Sequence, residues 1–130
     1  MCGIVGYLGE KDSLDIILNG LKRLEYRGYD SAGIAIYNGS TIACCKSKGK
    51  ISKLEKSLSK RKNLKGGLGI GHTRWATHGE PNNVNAHPQF SNSNKLFLVH
   101  NGIIENYSTI KQKLVKEGFT FKSETDTEVL

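Results

Sequence analysis

The chain lacks the features that define several protein classes. It has no apolar run near the roughly 20 residues needed to span a bilayer, and its N-terminus lacks the basic and apolar regions of a signal peptide. Its three cysteines, an odd number, argue against a disulfide framework, and they lack the second pair that a zinc site needs. We therefore expect a cytoplasmic protein, and 130 residues correspond to one small domain.

Acidic residues are also scarce, with 12 against 19 basic ones, which gives a net charge of +7. The excess lies between Lys46 and Lys65, where no aromatic residue offers a stacking surface for nucleic-acid bases. The apolar residues Ile51, Leu54 and Leu58 recur there at helical spacing. We interpret the stretch as the solvated face of an amphipathic helix, with nucleic-acid binding as the alternative.

The order of apolar runs and turn residues predicts a mixed α and β domain. Strands are predicted over residues 3–8, 32–37, 41–46, 68–72, 95–100 and 119–121. Helices are predicted over residues 13–27, 51–61 and 106–117, with a further helix beginning at a cap on Thr125 or Asp126. Residues 73–94 hold both prolines and show no sustained period, which is typical of a functional loop.

One cysteine has a special position, because only an initiator methionine precedes Cys2. Removal of Met1 would leave Cys2 with a thiol and a free α-amine. An α-amine has an ordinary pKa of about 8, so it can take the thiol proton at neutral pH. One residue would then supply both nucleophile and base, and a chance cysteine at this position is the alternative.

Further polar groups follow the predicted strands and helices. Asn101 and Gly102 come directly after an apolar strand, where a side-chain amide and a backbone N–H could form an oxyanion hole or simply a turn. Arg74 could bind a carboxylate in bidentate fashion, and Trp75 could cover a ligand or belong to the core. Asp126 could pair with an ammonium group or cap a helix.

Two further sequence patterns concern the N-terminal site and metal binding. Residues 23–33 mix charged and aromatic side chains, which predicts a salt-bridged helix end from which Arg27 could point toward the N-terminal site. The four histidines could suggest a metal, but they show no His-Glu-x-x-His pattern, so we expect no metal ion. These histidines are His72, His78, His87 and His100.

Six segments together resemble the class II glutamine amidotransferases. They are residues 1–6, 23–33, 72–81, 85–88, 100–106 and 123–128, and the resemblance runs from residue 1 to residue 130. Within that family, residues 23–33 and 72–81 resemble the branch that transfers ammonia to fructose 6-phosphate. The resemblance implies an α+β fold, the four-layer αββα sandwich of N-terminal nucleophile hydrolases. It also implies truncation: residues 1–130 would be a partial glutaminase domain without sugar isomerase domains.

The resemblance implies a role for each catalytic residue. Cys2 would attack the side-chain amide of L-glutamine and form a thioester, and Asn101 with Gly102 would form the oxyanion hole. Arg74 would bind the α-carboxylate of glutamine, and Asp126 would bind its α-ammonium group.

Four supporting residues are implied in the same way. Thr77 and His78 would shape the glutamine pocket, and Arg27 would support the loop near Cys2. Trp75 would belong to a gate that directs ammonia toward a second active site.

The resemblance implies no metal or organic cofactor, and neither nucleic acid nor membrane as a partner. Fructose 6-phosphate would be bound only by the missing isomerase domains, and a homodimer is expected for the full-length enzyme. An inactive truncated remnant and the glutaminase domain of another class II amidotransferase are the alternatives.

Overall fold

A computed structural model describes all 130 residues. The strands are β1 (Gly3–Leu8), β2 (Ser31–Tyr37), β3 (Ile42–Lys48), β4 (Leu68–Arg74), β5 (Gln89–Phe90) and β6 (Phe97–Leu98). The helices are α1 (Ser13–Arg23), α2 (Ile51–Leu58) and α3 (Tyr107–Lys116), and short 3₁₀ turns cover Glu25–Arg27 and Thr127–Val129. The predicted α+β class is confirmed.

The four long strands form one antiparallel sheet in the order β1-β4-β2-β3. Helix α1 packs on β1 and β4, and α2 packs on β3, so both helices cover the same face. Because side chains alternate along a strand, β2 contributes Ala32, Ile34 and Ile36 to this face. Helix α2 adds Ile51, Leu54 and Leu58, as its spacing predicted, and its lysines lie on the exposed side.

Two glycines let α1 lie directly on β4. A methyl group at Gly71 would come within 2.4 Å of Cγ2 of Ile17, and one at Gly69 within 2.6 Å of Cδ1 of the same residue. The helix begins where the sequence predicted, because Asp12 Oδ1 accepts the Leu14 N–H at 3.4 Å. The glycines of β4 therefore bring α1 close to the sheet.

The opposite face of the sheet carries the polar residues of β4, namely His72 and Arg74. The irregular segment after β4 folds back over this face. The carbonyl oxygen of His87 would be only 2.1 Å from a methyl group placed on Gly33. Lys46 in β3 donates to the Val84 carbonyl at 2.9 Å from the same side. Polar side chains of β4 are thereby enclosed between the sheet and this segment.

Four predicted elements differ in the structure. The strand expected over residues 95–100 is only β6, which pairs with the two-residue β5 and is half-buried. No strand forms over residues 119–121, because Thr120 bonds with the side chain of Asn92 instead of a strand partner. The expected helix after Thr125 is a 3₁₀ turn, and α1 ends at Arg23 rather than near residue 27.

None of the helices has the length and apolar character that crossing a membrane requires.

Candidate active site

A cavity of about 270 Å³ opens beside the start of β1 and the end of β4. The antiparallel register pairs Gly3 with Thr73, so Cys2 lies beside Arg74 at this end of the sheet. The cavity is lined by Cys2, His72, Arg74, Trp75, Thr77, His87, His100, Gly102, Ile103, Asp126 and Thr127. Six of the residues predicted from the sequence therefore meet at one place, although they come from four distant segments of the chain.

The Cys2 thiol is half-buried and held by the backbone of the segment after β4. Its Sγ accepts the Trp75 N–H at 3.1 Å and lies 3.7 Å from the Trp75 carbonyl oxygen. The Met1 ammonium donates to the carbonyl oxygens of Arg27 at 2.9 Å and Gly28 at 3.3 Å. Arg27 thus contacts the N-terminus through its backbone, and the salt-bridged helix end predicted for this segment is wrong, because neither of the two ion pairs in the structure involves it.

Asn101 reaches the backbone of the candidate nucleophile. Its Nδ2 donates to the Cys2 carbonyl oxygen at 3.3 Å, and its Oδ1 lies 2.7 Å from Nε2 of His72. The following Gly102 has a φ of +150°, in a region that side chains rarely adopt. Asn101-Gly102 is therefore more than a surface turn, since the side-chain amide of Asn101 connects His72 in the sheet to Cys2.

Arg74 provides a buried cation with a free donor. Its Nη2 donates to the carbonyl oxygens of His78 and Gly79, while the buried Nη1 has no partner. Burial lowers the pKa of Arg74, and the neighbouring acids Asp30 and Asp126 oppose that shift together with the Cys2 thiol. The guanidinium therefore keeps an unsatisfied N–H donor, which makes Arg74 the candidate to bind a carboxylate.

Asp126 is a buried carboxylate that lines the same cavity. Its Oδ2 accepts the Ile104 N–H at 2.7 Å, and only 4% of the residue is exposed. The 3₁₀ turn that follows receives no side-chain cap from Asp126. Helix capping, the alternative for this residue, is therefore wrong in the structure, because its oxygen satisfies a backbone donor 22 residues away.

The three remaining site residues lie around the same opening. Trp75 is 54% exposed, so the core alternative for this side chain is wrong. Thr77 is exposed and lines the cavity. His78 holds Arg74 through its carbonyl oxygen, and its ring packs edge-on against Tyr107 with centroids 5.1 Å apart. The ring of His78 is not part of the cavity wall.

Sequence reasoning missed two contributions to the site. Asp30 organises the segment around Trp75, since its Oδ2 accepts the Ala76 N–H at 2.7 Å and its own N–H donates to the Arg74 carbonyl at 2.8 Å. His72 and His87 stack with centroids 4.4 Å apart, and both line the cavity. The sequence indicated no role for His72 and His87 other than that of possible metal ligands, and no group of three or more His, Cys, Asp and Glu in the structure is arranged to hold a metal ion.

A known protein family matches this chain. The glutamine amidotransferase domain family matches residues 55–130, which is more than half of the chain. The chain belongs to this glutamine amidotransferase family. The prediction made from the six segments is therefore confirmed.

Relatives of this amidotransferase chain share one name. Glutamine–fructose-6-phosphate aminotransferase (isomerizing) from Bacteroides thetaiotaomicron is 59% identical over 131 residues, and that from Methanosarcina mazei is 58% identical over 132 residues. Each alignment covers 100% of this chain and 21% of the relative, so the chain spans about a fifth of their length. The closer resemblance of this chain to the fructose 6-phosphate branch is confirmed by these identities.

Solved structures agree with the family. A glutamine phosphoribosylpyrophosphate amidotransferase from Bacillus subtilis superposes with a TM-score of 0.81 at 33% identity, over 99% of this chain and 28% of the other. An allosteric regulatory enzyme of purine biosynthesis gives a TM-score of 0.82 at 34% identity, with the same coverage. The amidotransferase fold expected from the sequence is thereby supported for the whole of residues 1–130.

Proposed function

We propose that this chain hydrolyses the side-chain amide of L-glutamine with Cys2 as the nucleophile. One observation carries the proposal: a thiol, a buried cation with an unpartnered donor and a buried carboxylate face one cavity of about 270 Å³. Glutamine is a zwitterion with a carbonyl carbon at the end of its side chain, so its recognition needs one group of each kind. Arg74 would bind the α-carboxylate, Asp126 the α-ammonium and Cys2 the amide carbon.

Removal of Met1 by an aminopeptidase comes before the reaction and frees the α-amine of Cys2. That amine takes the thiol proton, and the thiolate sulfur attacks the amide carbon of glutamine. The C–N bond then breaks and ammonia leaves with the transferred proton. Water attacks the resulting thioester, which releases glutamate and restores the thiol.

The oxyanion of both tetrahedral intermediates needs donors close to Cys2. Asn101 has a second hydrogen on Nδ2 besides the one donated to the Cys2 carbonyl. The backbone N–H of Gly102 follows it directly, on the cavity wall. Two donors at one point are the arrangement that stabilises developing negative charge, and each typically contributes about 10²–10³ in kcat.

The acceptor of the ammonia is proposed from the relatives. Proteins named glutamine–fructose-6-phosphate aminotransferase are 55–59% identical to this chain, against 33–34% for the two enzymes of known structure. We therefore propose that the ammonia is used to convert fructose 6-phosphate to glucosamine 6-phosphate, by isomerase domains that lie outside residues 1–130. Trp75, exposed at the cavity, is the proposed gate toward that second site. A homodimeric full-length enzyme and a cytoplasmic location also stay predictions.

The proposal is tested by mass spectrometry of the intact chain after incubation with 6-diazo-5-oxonorleucine, an electrophilic glutamine mimic. We expect Met1 to be absent, one adduct on Cys2, protection by added glutamine, and ammonia release from glutamine itself. Cys2→Ala should abolish the adduct and the ammonia. An unmodified chain, or hydrolysis that survives Cys2→Ala, would contradict the proposal.

Cys44 supplies the matched control. It is the other thiol that is not fully buried, and burial raises its pKa to about 11, so it stays protonated at neutral pH. Cys44→Ala should therefore leave the labelling unchanged. An adduct that disappears in Cys44→Ala would show that the mimic reacts with Cys44 and not with Cys2.

A further inference from the structure

His72 is a fully buried histidine at the back of the cavity, and the proposed reaction does not use it directly. Its exposed fraction is 0%, and its Nε2 lies 2.7 Å from Oδ1 of Asn101. Its ring stacks on His87 with an angle of 21° between the planes. Its Nδ1 is buried and has no partner. The ring is therefore packed in place, with its Nε2 against the amide of the proposed oxyanion hole.

The direction of that amide is decided by its other neighbour. The carbonyl oxygen of Cys2 lies 3.3 Å from the second polar atom of the Asn101 side chain. A carbonyl oxygen can only accept, so this atom must be Nδ2, since the reversed amide would bring two oxygens together. Oδ1 then faces His72, whose Nε2 must carry a hydrogen to donate to it. The alternative tautomer would place two acceptors 2.7 Å apart.

We propose that His72 is a positioning residue whose neutral Nε2–H tautomer locks the Asn101 amide with its Nδ2 donors toward Cys2 and the reacting carbonyl. This inference rests on the proposed glutaminase function and adds to it a residue that acts through Asn101. Without the His72 donor, the amide can rotate and present Oδ1 to the developing oxyanion. Such an orientation would repel the negative charge that the hole has to stabilise.

The surroundings of His72 keep its ring neutral. Burial lowers the pKa of His72 to about 4, and the neighbouring Arg74 and His100 lower it further, whereas hydrogen bonds to Asn101 and to the His100 backbone raise it. The stacked His87 accepts the His100 N–H on Nδ1 at 3.3 Å, so its own hydrogen is on Nε2. The neutral Nε2–H form is therefore the one that fits every contact.

The tautomer can be measured without any activity. Long-range ¹H–¹⁵N correlation spectra of the ¹⁵N-labelled chain distinguish protonated from unprotonated ring nitrogens. We expect His72 to show a protonated Nε2 and an unprotonated Nδ1 from pH 7.5 down to pH 5.5. An Nδ1–H tautomer, or a ring that becomes charged near the ordinary histidine pKa, would overturn the inference even where glutamine is hydrolysed normally.

The catalytic consequence is tested by comparing two substitutions with a double-mutant cycle. His72→Gln keeps an N–H donor at similar reach and should retain most activity, whereas His72→Leu should lower kcat for glutamine by about 10- to 100-fold with little change in KM. In an Asn101→Ala background, His72→Leu should have almost no further effect, because His72 acts only through the Asn101 amide, which is then absent. A merely structural role would instead give additive losses.

The two hypotheses fail differently. If the unaltered chain releases no ammonia from glutamine, the proposed function is wrong, and the tautomer measurement still decides whether His72 holds Asn101. If the unaltered chain is active but His72→Leu matches it in kcat, the positioning role alone is wrong. Equal losses in His72→Gln and His72→Leu would also overturn it, since the donor would then not be what matters.

Discussion

At the scale of single residues, the charge of Asp126 can be separated from its structural bond. One oxygen of Asp126 accepts the Ile104 N–H at 2.7 Å, and the residue faces the cavity beside Arg74. Asp126→Asn keeps an oxygen for the Ile104 N–H and removes the negative charge. We expect KM for glutamine to rise by about 10- to 100-fold, because a hydrogen bond to a charged group contributes about 1.5–3 kcal/mol. Steady-state ammonia release measures the change.

The same variant should leave the melting temperature nearly unchanged, which separates binding from folding. Glu105→Gln provides the control, since it removes the same charge at an exposed position away from the cavity. It should alter neither KM nor stability. A normal KM in Asp126→Asn would remove Asp126 from the proposed ammonium site, and a large drop in melting temperature would show that its charge serves the fold.

At the scale of elements, the approach of the His87 segment to the sheet is the contact that closes the site. Gly33 in β2 lies under the His87 carbonyl, and a methyl group there would be 2.1 Å from that oxygen. Gly33→Ala must therefore displace backbone, which we expect to cost about 1–3 kcal/mol of stability and to disturb the histidine stack. Urea unfolding measures the stability, and labelling by the glutamine mimic measures the site.

Gly6→Ala is the matched control in the neighbouring part of the same sheet. A methyl group at Gly6 in β1 meets nothing within 4 Å, so this variant should be as stable as the unaltered chain or slightly more so. Equal stability of the two alanine variants would contradict the close packing of the His87 segment on β2.

Sequence patterns predicted the elements whose signals are local. The spacing of Ile51, Leu54 and Leu58 identified α2, and the β1 to β4 strands were identified within two residues of their observed ends. The strand predicted over residues 95–100 was too long because only Phe97 and Leu98 find a strand partner, in β5. Long-range pairing of this kind has no local signature.

The site shows the same division between local and distant information. Cys2 was recognisable because its chemistry depends only on its position at the N-terminus. Asp126 looked like a helix cap from its neighbours, and only the fold brings the Ile104 N–H to it. The bond between His72 and Asn101 joins residues 29 positions apart, so nothing in either segment indicated it. Resemblance to a family supplied roles that the isolated motifs could not.

At the scale of the whole molecule, two buried neutral histidines make stability depend on pH. Burial lowers the pKa of His72 to about 4 and that of His87 to about 2, with the charge of His72 as a further cause for His87. Both groups titrate at about 6.5 in the unfolded chain. Below that pH the unfolded chain binds protons that the folded chain does not. The two rings therefore cost no stability above pH 6.5, and the free energy of unfolding falls as the pH drops below that value toward the folded pKa.

We expect the free energy of unfolding in urea to fall between pH 7 and pH 5, with His72 alone responsible for about 2 kcal/mol of the loss. Carboxylates titrate mostly below this window, so the histidines dominate it. His72→Gln should remove its share of the slope, because glutamine binds no proton in either state. A free energy of unfolding that stays constant from pH 7 to pH 5 would contradict the burial of two neutral rings. It would also remove the reason for His72 to stay uncharged beside Asn101, so the same titration tests the fold and the proposed oxyanion hole together.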